Sequence, residues 1–93
     1  MIDIREGDFV QLISLKKLIK KYKGTVLDDG SAETNNGFYT PSMCDAMESG
    51  GVYKVTKVRE KDFSVFVDID GYDFIFYPKD IEHVYRIGLT KIM

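Results

Sequence analysis

The sequence has no tryptophan, one cysteine, one histidine and two prolines among its 93 residues. A lone cysteine excludes an internal disulfide framework and any multi-cysteine zinc site. A lone histidine leaves little for imidazole-based acid–base or metal chemistry. No apolar run approaches the roughly 20 residues that a membrane helix needs. The opening residues Met1-Ile2-Asp3-Ile4-Arg5-Glu6 lack the basic head and apolar stretch of a secretory signal. With an unpaired Cys44, which suits a reducing interior, this predicts a cytoplasmic protein, in the host cytoplasm if the chain is viral. An excess of one sign of charge is also missing. The net charge of −2 argues against a globally basic nucleic-acid clamp. What remains, 44% hydrophobic and 30% charged residues, is the composition of one small globular domain spanning 1–93.

The charges are unevenly placed. Residues 1–24 hold six bases and three acids, 25–51 hold five acids and no base, and 52–93 hold seven of each. Phe9 to Ile13 reads as a short strand after a Gly7-Asp8 turn. Ser14 then has the character of a helix cap. In Leu15 to Lys23 the apolar residues recur at helical spacing, with Lys16, Lys17, Lys20 and Lys21 on the opposite face and Gly24 as the stop. Asp28 to Gly37 is rich in Asp, Asn, Ser and Gly and predicts a mobile loop. Thr40-Pro41 opens a second, very short helix in which Met43 and Met47 share a face.

After Gly50 the pattern turns to strands: Val52 to Val58, Phe63 to Ile69, Tyr72 to Tyr77 and Ile81 to Ile87. Arg59 to Asp62 is a polar turn, Asp70-Gly71 is a two-residue hairpin signal, and Pro78-Lys79-Asp80 is a tight turn. Five short strands predict a mainly β domain, a small bent barrel whose closure removes sheet edges. One or two short helices lie between the first two strands, in an insertion at about 14–49 that is far longer than ordinary loops.

Gly7-Asp8-Phe9-Val10 opening a strand, a long insertion, Met47-x-x-Gly50-Gly51-x-Tyr53-x-Val55, and a Val65-x-Val67 strand followed by an aromatic strand and Pro78 resemble an SH3-like small β-barrel. The resemblance covers roughly residues 6–85. Within that group the chain is similar to Mind-bomb-type barrels and to short bacteriophage accessory proteins. The resemblance implies a five-stranded barrel and a non-catalytic binding module, with a phage-encoded host-directed or anti-defence role among its implications. The polyproline-binding form of the fold uses a tryptophan and an acidic loop. This chain has no such combination, and Phe38-Tyr39 stand near where the tryptophan would be.

Candidate chemistry is sparse. Asp68 to Asp73 has the look of a calcium loop, but the closing carboxylate would fall at Lys79 and the glycine comes two positions too early, so the hairpin reading stands. Cys44 and His83 supply the parts of a nucleophile–base pair, yet a half-buried thiol and a structural histidine account for them. Gly50-Gly51 is too short for a phosphate loop. No catalytic residue, metal site or cofactor is expected. The lysine face is read as solvated, with Lys16, Lys17, Lys20 and Lys21 kept as anion-binding candidates.

The hairpin carries the sharpest expectation. A two-residue turn at 70–71 pairs 69 with 72 and, in step, 64 with 77. One face then holds Val65, Val67, Ile69, Tyr72, Phe74 and Phe76, and it must be core. The other holds Phe66 against Ile75, Ser64 against Tyr77, and a repelling Asp68–Asp73 pair. Burial is expected at Leu12, Val55, Val65, Val67, Phe74 and Phe76. The second apolar face needs a cover, either the insertion helix or another chain. The leading functional expectation is protein–protein contact or self-association through Phe38, Tyr39, Phe66, Ile75 and Tyr77. The alternatives are an oligomer that sequesters a small anionic ligand such as a nucleotide, and a weak nucleic-acid-binding barrel; no membrane role is expected.

Overall fold

The structure is a computed structural model that describes residues 3–86 and 90–91. The chain forms two compact units, one built from residues 1–12 and 52–93, the other from the insertion Ile13–Gly51. Among the described residues, no helix is long and apolar enough to cross a membrane.

The first unit is a six-stranded antiparallel sheet. Its strands are β1 (Phe9–Leu12), β5 (Val52–Val58), β6 (Val65–Ile69), β7 (Tyr72–Phe76), β8 (Ile81–Arg86) and β9 (Thr90–Lys91), in the order β7-β6-β5-β1-β8-β9. β5 is shared by two ladders. Its start pairs with β1 and its end with β6, and the register slips between Val55 and Lys57. Such a bulge bends a strand and lets it serve two sheet directions. Val10, Leu12, Val55, Val65, Val67, Ile69, Phe76, Ile81 and Val84 are buried. On β1 and β6 they alternate with less buried residues as a half-buried strand requires, while on β8 Ile81 and Val84 are three apart, across a register shift against β1.

The second unit holds α1 (Leu15–Tyr22), a three-stranded sheet of β2 (Thr25–Val26), β3 (Ala32–Thr34) and β4 (Gly37–Tyr39), and α2 (Pro41–Ser49). The Ser14 side chain accepts from Lys17 N and that of Thr40 from Met43 N, so both predicted caps form. The left-handed residue that ends α1 is Lys23, at φ 52°, rather than Gly24. Gly24 serves a close approach instead. A Cβ there would lie 2.7 Å from Thr34 Cγ2 and 2.8 Å from Ile19 Cδ1. α2 buries Met43, Cys44, Ala46 and Met47.

Several expectations are corrected. The stretch 28–37 is not a plain loop, because it carries β3 and the turns on either side. Ser31 N and Oγ both donate to Asp29 Oδ1, and Asn36 N donates to Thr34 Oγ1 at 3.0 Å. The polar residues that signal a loop therefore brace two turns of a small meander. The third predicted strand begins at Val65, not Phe63, and the fourth ends at Phe76. Pro78–Asp80 is one turn of 3₁₀ helix. Residue 87, placed at the end of the last predicted strand, lies outside the described residues. The expected barrel closure is not found among the described residues: β7 pairs with β6, and β8 pairs with β1 and, at Tyr85 and Arg86 only, with β9.

Candidate functional site

The hairpin β6–β7 forms in the expected register, with Ile69 opposite Tyr72, Asp68 opposite Asp73, Val67 opposite Phe74, Phe66 opposite Ile75 and Val65 opposite Phe76. Asp70 at φ 55° and Gly71 at φ 86° make the mirror-image turn that matches strand twist. The opposed Asp68 and Asp73 are each given a donor. Gly71 N–H donates to Asp68 Oδ1 at 2.9 Å, and the Thr56 hydroxyl lies 3.0 Å from Asp73 Oδ1. Both carboxylates stay exposed, so water shares in screening them.

The core face of the hairpin tapers toward its tip. Phe76, Val65 and Val67 are buried, Phe74 is partly exposed, and Tyr72 is 72% exposed. The expectation of a continuous core face is corrected at Tyr72, whereas Phe74 is mostly buried as expected, though less so than Phe76. Phe74 stands in the row nearer the tip, where the sheet has less to close over it. On the other face Phe66 and Ile75 are half-buried, with Lys57 of β5 beside Phe66 in the ladder.

At the opposite end of the hairpin the structure assembles a cluster that sequence reasoning missed. Residues 59–64 form a closed turn. Arg59 N donates to Ser64 O and Phe63 N to Arg59 O, each at 2.8 Å, and Ser64 N donates to Asp62 Oδ1 at 3.0 Å. The Arg59 guanidinium pairs with the Asp62 carboxylate through two hydrogen bonds. Hydrogen bonds from Arg59 and Ser64 hold the Asp62 carboxyl far below the usual carboxylate range. This turn sets Phe63 at φ 60°, and the residue is 54% exposed. Read along β6, Phe63 shares the parity of Val65 and Val67 and so looks like core. The one available signal was Asp62, whose side chain can cap the backbone two residues on and so end the turn after Phe63 rather than before it.

Tyr77 belongs to the same end. It is 38% exposed, and the Lys79 ammonium lies 5.9 Å from its ring centre. Phe63, Tyr77, Arg59 and Lys79 thus put two aromatic rings and two cations at one end of the sheet.

The remaining predicted residues are dispersed. Phe38, on β4 of the insertion unit, is 56% exposed, whereas its neighbour Tyr39 is buried. Tyr39 is therefore corrected from anchor to core; its hydroxyl accepts from Asn36 Nδ2 at 2.7 Å. Strand alternation explains the split, because neighbours on β4 point to opposite faces. Lys16, Lys17, Lys20 and Lys21 are exposed, with the Lys21 ammonium 5.3 Å from the Tyr22 ring centre. Cys44 is buried, with Sγ 3.8 Å from Tyr39 O. Burial, and then the charges of Asp45, Glu48 and Asp29, push its thiol pKa up, so it is a weak nucleophile at neutral pH. His83 lies edge-on to Tyr85, ring centres 6.5 Å apart. Among the described residues, no three His, Cys, Asp or Glu side chains gather as a metal site would require.

Compared with family models, curated proteins and solved structures, the chain matches none.

Proposed function

We propose that this chain is a non-catalytic binding module, built on an SH3-like β architecture, that acts by protein–protein contact. The architecture is supported by β1 lying between β5 and β8, and by the bulged β5 serving two ladders, which is how small barrels turn their corners.

The observation that carries the functional reading is Phe63. A bulky side chain in the left-handed region costs about 1–3 kcal/mol of strain. The fold recovers little of that by burial, because more than half of the residue remains in water. The turn that enforces this geometry is over-determined by an ion pair and three further hydrogen bonds. Aromatic rings beside an arginine, held rigid before any partner arrives, are the composition of binding hot spots. Tyr77 and Lys79, just past the end of β7, widen the patch, and half-buried Phe66 and Ile75 lie opposite one another further along the hairpin.

The test is affinity capture from host lysate with intact-mass analysis of the purified chain, repeated with Phe63→Ala and Tyr77→Ala. We expect a stoichiometric protein partner whose capture falls at least about tenfold in each variant while thermal stability holds or, for Phe63→Ala, holds nearly so. A retained small molecule, a nucleic acid as the main species, or a partner indifferent to both substitutions would overturn the reading.

A further inference from the structure

The outer edge of β7 has no strand partner among the described residues. Its five residues, Tyr72-Asp73-Phe74-Ile75-Phe76, pair with β6 without a bulge and contain no proline or lysine, which leaves Asp73 as the charged side chain on this edge. The turn geometry fixes which backbone groups are available. In a two-residue hairpin, residues 69 and 72 exchange hydrogen bonds, and bonded pairs then alternate with non-bonded ones. Phe74 and Phe76 therefore direct their N–H and C=O groups to β6, while Asp73 and Ile75 direct theirs outward.

We propose that this edge pairs antiparallel with β7 of a second copy of the chain, about a two-fold axis at Phe74. In that register Asp73 of each copy lies opposite Ile75 of the other, and each such pair exchanges both of its N–H···O=C bonds. Charge selects this arrangement over a parallel one. Asp68, Asp70 and Asp73 gather at the hairpin tip, and Lys79 stands just past the far end of the strand. A two-fold axis sets the acidic tip of each copy against the Pro78–Lys79 turn of the other, whereas parallel pairing would stack tip on tip. The same register puts Tyr72, the most exposed large hydrophobic among the described residues, opposite Phe76 of the second copy, and Tyr77 opposite Gly71, where there is no side chain to obstruct the ring. The proposal goes beyond the partner site at Phe63. It concerns the backbone edge; Ile75, Tyr77 and Lys79 border both surfaces, so the two are told apart by Phe63→Ala, which removes the partner anchor and leaves the β7 edge intact.

The test joins sedimentation of the full chain from about 1 μM to about 1 mM, the range in which small interfaces associate, with amide hydrogen exchange at both extremes. Dimer formation should slow exchange at Asp73 and Ile75, while Phe74 and Phe76 stay protected throughout. Ile75→Pro removes an outward N–H, which an edge strand tolerates, and should give a monomer at every concentration. Lys79→Asp should weaken the dimer at least about tenfold at low salt, with the deficit shrinking as salt is added; it decides the matter if Ile75→Pro does not fold. A monomer throughout the range overturns the proposal. So does a dimer whose Asp73 and Ile75 amides still exchange freely, a dimer that survives both substitutions, or protection of those two amides in the monomer.

Discussion

Phe74 and Phe76 stand two residues apart on one face of β7, yet only Phe76 is wholly withdrawn from water. Sequence parity treats them alike; depth along the hairpin separates them. Removing the Phe76 ring should cost about 3–5 kcal/mol, the usual range for a buried aromatic, with Phe74→Ala costing distinctly less. Urea denaturation of the two variants checks the order. Equal losses would mean that the tip is as tightly packed as the base. Phe38 and Tyr39 differ for another reason: adjacency in the sequence made them a pair, and strand alternation set them on opposite faces of β4.

At the scale of elements, α1 illustrates which signals survive folding. Its apolar spacing and its Ser14 cap are local, and both appear as read. Its C-terminus is not local. Lys23 takes the left-handed position, and Gly24 N donates to Ile19 O at 2.9 Å with Thr34 and Glu33 of β3 pressed against it. A methyl group at position 24 would also come within 3.1 Å of the Glu33 carbonyl oxygen, which cannot swing aside as a side chain can. Gly24→Ala should therefore destabilise by about 1–3 kcal/mol, although alanine is the better helix former. A thermal melt of that variant at or above the wild-type midpoint would show that β3 yields at small cost.

At the scale of the whole chain, the first unit is assembled from its two ends. Arg86 Nε donates to Asp8 Oδ1 at 2.9 Å, and Arg86 also donates to Asp3 O at 2.7 Å. Gly7 N and Val55 N complete the join with bonds to Val55 O and Asp8 O. Burial alone would raise the Asp8 carboxyl, but the Arg86 hydrogen bond, the Arg5 N–H and the charges of both arginines outweigh it and hold the pKa below the ordinary 3.8. A carboxylate with a lowered folded-state pKa contributes stability above about pH 4, and that contribution is lost as the pH falls through the folded value. Arg86→Ala leaves Asp8 buried without its counter-charge. It should cost about 3 kcal/mol at neutral pH, toward the low end for a broken buried pair because Arg5 N–H still donates at 2.9 Å. The Asp8 contribution to the pH dependence should also change sign, the variant losing less than the wild type on acidification. Urea midpoints at pH 7 and about pH 2.5 test this, since the wild-type contribution is lost only below about pH 4, and parallel shifts for the two proteins would refute it.

The sequence by itself determined the helix caps, the Asp70-Gly71 turn, the hairpin register and the prevalence of strands after Gly50. Each rests on interactions within a few residues or on a period-two pattern that a single turn fixes. Tertiary structure decided the rest. The strands hidden in 28–37 needed Ala32 and Tyr39 to find a common core, which their polar neighbours conceal. Among the described residues β7 and β8 do not pair, and whether two strands far apart in the chain meet is something no local pattern records. Phe63 left the core face because the Arg59–Asp62 pair closed the turn one residue later than strand parity implies. In each case a contact between distant residues, or a choice between two nearly equal local conformations, outweighed the local preference.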